Sequence, residues 1–158
     1  MKYILPILLI LAGCSADNSS NEINSYTEPQ TDDYGLTLEP SDEMYISFET
    51  VSQLYQDTMA CMGMTATAPT VAWKSFNEQY VGGAWGIYIA TGELVWINTD
   101  STVAQRNAVS DTETLKHEYV HHILHVNGMG ETSHAHASPL FEKCGLGVYV
   151  KDGVPTAK

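Results

Sequence analysis

Residues 110–128 read SDTETLKHEYVHHILHVNG, and this stretch decides how the rest of the chain is read. Ser110 followed three residues later by Glu113 has the pattern of a capping box, and Asn127-Gly128 is a stop signal. A helix is therefore predicted over Asp111–Val126. Within it, His117-Glu118-Tyr119-Val120-His121 has the form H-E-x-x-H. Residues i and i+4 project from one helix face a turn apart, so the imidazoles of His117 and His121 can converge on one tetrahedral ion. Glu118, rotated by about 100° from His117, lies beside such an ion, where it can take a proton from water.

The 6 histidines of the chain all fall between His117 and His136. His125 stands about 12 Å along the axis from His117, too far to share an ion with it. His122 points about 100° away from His121 and is expected in the core or behind the ligands. A third protein ligand must come from the chain that turns back after Gly128, and the candidates are Glu131, His134, His136 and Glu142. Ser138 can cap, and Pro139 can open, a short helix running to Cys144 and ended by Gly145.

The helix and the return segment behind it resemble the zincin metallopeptidases. The resemblance implies a Zn²⁺ held by His117, His121 and a third residue, with one position left for water and Glu118 as the general base. In zincins with a third histidine on the return segment, that histidine is followed shortly by a packed aromatic. His136 with Phe141 fits this, so His136 is preferred. Glu142 and His134 remain its rivals, Glu142 because other zincins place a glutamate on a second helix. The compact form with a glycine and a third histidine close behind the motif is excluded, since Leu124 stands at the glycine position. In zincins an extended substrate commonly pairs with an edge strand beside the active helix, and Trp85–Ala90 is the candidate. For stabilising the oxyanion, His134, His125 and Tyr88 are open choices.

The N-terminus, MKYILPILLILAGC, carries a basic residue and then an apolar run from Ile4 to Ala12. As a helix that run spans about 14 Å, too short for a hydrocarbon core of about 30 Å, and it reads as an export signal. Leu11-Ala12-Gly13-Cys14 resembles the lipobox of bacterial lipoproteins. The resemblance implies cleavage before Cys14, a diacylated thiol there, and anchoring in the cell envelope. Ser15, where Asp would mark inner-membrane retention, points to the outer membrane if the organism is Gram-negative. Export places Cys61 and Cys144 in an oxidising compartment. A disulfide between them is expected, closing a long loop and worth about 4–5 kcal/mol in the chain-entropy model. No C-x-x-C pair supports a thiolate metal site.

The chain thus divides into three segments: residues 1–13 as signal peptide, 14–40 as an acylated cysteine with a disordered acidic tether, and 41–158 as the compact domain. The tether reading rests on composition, because Ser15–Pro40 is acidic, lacks Lys and Arg, and holds few apolar residues. In the compact part, Ser47 can cap a helix from Phe48 to Met62. Its face is Phe48, Val51, Leu54, Tyr55, Met59 and Met62, and Gly63 ends it. Val71–Phe76 reads as a strand, and Tyr80–Asn98 as a hairpin turning at Thr91-Gly92. Gly82, Gly83 and Gly86 in its first strand mark a bulge or the close approach of another backbone. The fold class expected is α+β: a small zincin-like domain with an N-terminal helix, a short antiparallel sheet and the H-E-x-x-H helix.

The 158 residues fit one domain, and 19 acidic against 7 basic side chains give a net charge of -12. That balance argues against nucleic acid as a partner, since phosphate binding needs a basic footprint. The function expected is a membrane-anchored zinc metallopeptidase acting on peptides or proteins, most simply as a monomer. The alternative is a non-catalytic zinc-binding surface lipoprotein, which would explain the clustered histidines but not Glu118.

Overall fold

A computed structural model describes residues 23–75, 84–100, 106–129, 138–145, 149–151 and 154–156. Residues 1–22, with the expected signal segment and Cys14, lie outside the described residues. The architecture is α+β. Strands β1 (Asn24–Tyr26), β2 (Gln30–Thr31), β3 (Thr37–Leu38) and β4 (Ser41–Met44) precede helix α1 (Phe48–Met62). Then come β5 (Thr70–Lys74), β6 (Gly86–Ile89), β7 (Leu94–Asn98) and helix α2 (Ala108–Val126). A short helix α3 (Pro139–Cys144) and a terminal hairpin, β8 (Tyr149–Lys151) with β9 (Val154–Thr156), complete the order.

Helix α1 has the ends its sequence announces. The Ser47 side chain accepts from the Thr50 amide, and Gly63 closes the last turn in the left-handed region at φ 66°. It buries Val51, Leu54, Tyr55, Thr58 and Met62. The start of α2 lies earlier than expected. Asn107, not Ser110, is the cap: its side chain accepts from Val109 and Ser110, while the Ser110 hydroxyl receives the Asn107 amide. The box is thus formed by Asn107 and Ser110, and Glu113 has no part in it. Asp111 consequently sits inside the first turn, buried. It accepts the Trp73 indole N–H at 2.8 Å and pairs with Arg106 at 2.9 Å. The expected stop holds, with Asn127 as cap and Gly128 at φ 68°.

The main sheet has five strands in the order β2-β3-β5-β7-β6 and is not antiparallel as expected. Strands β3, β5 and β7 are parallel, and only the outer pairs β2–β3 and β6–β7 are antiparallel. The reason is topological. The chain leaves β5, forms β6 at the far edge, and returns through a 3-10 turn at Ala90–Gly92, so that β7 inserts between β5 and β6. The parallel pairing of β3 with β5 is allowed because α1 supplies the long crossover. Val71, Ala72 and Trp73 are buried in succession, as befits a strand inside a parallel sheet. The strand expected to reach Phe76 ends at Lys74, and Phe76 itself lies outside the described residues, as do Tyr80–Gly83 of the expected hairpin.

The expected tether is also corrected, because residues 24–38 within it already hold strands β1, β2 and β3. Leu36 and Leu38 are fully buried, and β3 pairs with Thr70–Val71. Asp32 builds the turn before them by accepting the amides of Tyr34 and Leu36 at 2.9 and 2.8 Å, and it also takes the Ser52 hydroxyl of α1. Each buried leucine contributes about 1.5–3 kcal/mol. Two leucines entering a core that already exists order a segment whose average composition is that of a free chain.

Helices α1 and α2 pack together, α2 lies on β6 and β7, and α3 touches both helices. Residues Glu118 to Leu124 are buried on all sides of α2, so this helix runs through the core rather than over it. Tyr119 carries the contact with α1. It is fully buried, its ring meets Tyr55 edge-on at 5.1 Å, and its hydroxyl donates to the Val51 carbonyl at 3.2 Å.

Candidate active site

Successive residues of α2 face different neighbours, and the site is built from that division. His117 and His121 share one face, with ring centroids 5.0 Å apart. Against both lies Phe141 of α3, its ring 4.9 Å from His117 and 4.6 Å from His121. His121 is buried and His117 half-buried. The spacing that suggests two convergent imidazoles therefore yields two adjacent imidazoles backed by one aromatic ring.

Glu118 points elsewhere, between α2 and strand β6. Its side chain is buried, and the Tyr88 backbone N–H donates to its carboxylate. Strand register explains why that amide is available. The Asn98 N–H donates to the Trp85 carbonyl at 2.8 Å, which makes Trp85–Asn98 a hydrogen-bonded pair. By the antiparallel alternation, Gly86 and Tyr88 turn their backbone groups to the opposite edge of β6. Among the described residues no strand pairs with that edge. Burial pushes the Glu118 carboxyl up to about 8, against the opposing pull of the Tyr88 N–H.

Gly86 permits this approach. A Cβ there would lie 2.5 Å from Thr114 Cγ2, 3.1 Å from Glu118 Cγ and 3.2 Å from Glu118 Oε1. Of the three glycines expected to mark a bulge or the close approach of another backbone, Gly86 instead makes room for side chains of α2, and Gly82 and Gly83 lie outside the described residues.

His122 is satisfied by the core. Its Nε2 lies 2.6 Å from the Thr67 carbonyl and its Nδ1 3.3 Å from the Tyr88 hydroxyl. A carbonyl only accepts, so Nε2 carries the proton and Nδ1 receives the Tyr88 O–H. Burial lowers its pKa and keeps the ring neutral, with the Thr67 carbonyl pulling the other way. Tyr88, one of the open choices for oxyanion stabilisation, has its hydroxyl engaged here, and burial pushes that phenol up to about 12. His125 lies against the Tyr88 ring at 5.8 Å.

Of the third-ligand candidates, Glu131, His134 and His136 lie outside the described residues. Glu142 is described and exposed on α3, and among the described residues no third His, Cys, Asp or Glu joins the imidazole pair in a cluster. The helix expected after Ser138 is present, with the Ser138 side chain accepting from Leu140 and Gly145 ending it. The expected disulfide is present too, joining Cys61 in the last turn of α1 to Cys144, with Cα atoms 5.8 Å apart. It fixes the short helix that begins just after His136 and Ser138.

Two contributors escape a reading of the sequence. The Tyr88 amide can be found only through Gly86, whose lack of a side chain inside an apolar strand signals a neighbour. The Thr67 carbonyl carries no side-chain signal at all. No protein-family model, curated protein or solved structure matches the chain.

Proposed function

We propose that this chain is a zinc-dependent peptidase held at a membrane through a lipidated Cys14. The observation that carries the reading is the division of one buried helix. Two imidazoles stand side by side on one face, and a buried carboxyl stands one residue along, against the edge of β6. Imidazole nitrogens are donors that zinc accepts readily, and two from one helix turn leave room for a third donor and an open position. His117 and His121 would hold the ion, with the third donor drawn from the segment before Ser138 and His136 as first choice.

A zinc ion there supplies Lewis-acid polarisation of a scissile carbonyl and acidifies water at neutral pH. Glu118 takes a proton from the attacking water at its carboxylate and returns it to the leaving amine. The outward-facing backbone groups of Gly86 and the Tyr88 carbonyl offer an extended peptide hydrogen bonds along that edge. Phe141 and the buried core beneath shield the imidazoles from bulk solvent.

The anchor is proposed from Leu11-Ala12-Gly13-Cys14, and among the described residues no helix is long and apolar enough to cross a membrane. The test is Glu118→Gln in the full chain, with zinc content measured beside cleavage of casein and a peptide library. The variant is expected to keep its zinc and lose about 10²–10⁴-fold in cleavage. Wild-type chain that binds zinc and cleaves none of these substrates would instead favour a zinc-capturing lipoprotein. Failure of the wild type to bind zinc would remove the reading altogether.

A further inference from the structure

We propose that the Cys61–Cys144 disulfide is a redox latch on the imidazole pair, with Phe141 as the positioning residue through which it acts. The inference rests on the peptidase reading for its consequence and on geometry for its mechanism. Helix α3 has only 6 residues, far too few to hold its conformation unaided. Phe141 and Cys144 are three residues apart and so share a face of this helix; both are buried. Through Cys144 that face is bonded to the last turn of α1. Through Phe141 it lies on His117 and His121 at 4.9 and 4.6 Å. One covalent bond thus sets how an aromatic ring meets both proposed ligands.

The bond is open to exchange from one side. Cys61 is partly exposed whereas Cys144 is buried. A thiolate of an external dithiol attacks Cys61 Sγ, and Cys144 leaves as a thiolate and takes a proton. The second thiol of the reductant then closes on its own partner sulfur, releasing Cys61 as a thiolate that is protonated in turn. Two electrons and two protons pass from the dithiol to the protein, and the reductant leaves as a disulfide. Phe141 then keeps its packing and the backbone hydrogen bonds of α3 but loses the covalent tie to α1, which loosens the backing of the imidazoles.

The test uses the full chain in detergent micelles with ¹³C-labelled histidine. It compares the oxidised chain, the chain reduced by dithiothreitol and desalted anaerobically, and the oxidised Phe141→Leu variant, which keeps an apolar side chain but removes the ring. Reduction and Phe141→Leu are both expected to move the imidazole resonances of His117 and His121 and to lower zinc affinity, read by chelator competition. The resonances of His122, held by Thr67 and Tyr88, should stay in place. Unmoved His117 and His121 signals after reduction would overturn the latch. So would movement of all three histidines together, which marks a general structural staple. Should the oxidised chain bind no zinc, the peptidase reading falls while the resonances still decide the latch.

Discussion

His121 and His122 are neighbours in sequence and lie in different surroundings. His122 is closed off: both ring nitrogens are engaged by the Thr67 carbonyl and the Tyr88 hydroxyl, and the ring is fully buried. His121 shares its face with His117 and Phe141, ring against ring. A rotation of about 100° per residue separates a histidine that completes the core from one that faces His117 and Phe141. Residue type and clustering cannot distinguish these roles. The identity of the facing element does so: β6 and the chain before β5 on one side, α3 on the other.

The sharpest way to break this comparison is to remove each ring in turn. His121→Ala should abolish zinc binding and peptide cleavage while costing the metal-free fold less than His122→Ala. The latter leaves a cavity, a bare carbonyl and an unpaired hydroxyl, an expected loss of about 2–4 kcal/mol in urea denaturation. Its zinc affinity should stay within a few-fold of wild type. If His122→Ala lost zinc without losing stability, the two faces would not be distinct.

Two groups on the β6 side, Glu118 and His122, titrate in opposite senses in the metal-free chain. The raised pKa of Glu118 means that its contribution to stability is fully present below 4.5 and is lost as pH rises through about 8. The lowered pKa of His122 means that its contribution is present above 6.5 and is lost as pH falls. Urea midpoints measured with chelator present should therefore decline on both limbs. Glu118→Gln should flatten the alkaline limb, by on the order of a few kcal/mol at pH 9, and leave the acid limb unchanged. A variant that declines in parallel with wild type between pH 4.5 and 8 would show that Glu118 is not the group responsible.

Gly86→Ala is the smallest change and tests the contact between β6 and α2. Its Cβ would meet Thr114 at 2.5 Å, so the strand must retreat, at about 1–3 kcal/mol. Because the retreat pulls the Tyr88 amide from Glu118, cleavage should fall further than stability alone accounts for. Unchanged thermal midpoint and cleavage rate in this variant would mean that the approach at Gly86 is not needed.

The legibility of these features in the sequence depends on which atoms carry them. Helix α1 is fully readable, since Ser47, the apolar face and Gly63 are side-chain signals arranged in order. His117, Glu118 and His121 are readable because helical spacing converts sequence distance directly into direction. The start of α2 is easily misread, because Ser110-x-x-Glu113 imitates the box that Asn107 and Ser110 form. Sheet order is hidden, because no residue of β7 records that it inserts between β5 and β6. The strands within residues 24–38 are hidden by averaging, since Leu36 and Leu38 act by position and not by number. The Tyr88 amide and Thr67 carbonyl belong to groups that almost every residue possesses, and only folding selects them.

Tyr88 gives its amide to Glu118, its hydroxyl to His122 and its ring to His125. A slip of β6 against β7 by one residue would reverse both its side chain and its amide at once. The mispaired hairpin would then expose an aromatic ring, strip the Nδ1 partner from His122 and leave the Glu118 carboxyl without its donor. Such a chain is penalised at three places on a single residue's error. The register of β6, the burial of the Tyr88 ring and the approach of its amide to Glu118 are therefore tied to one another.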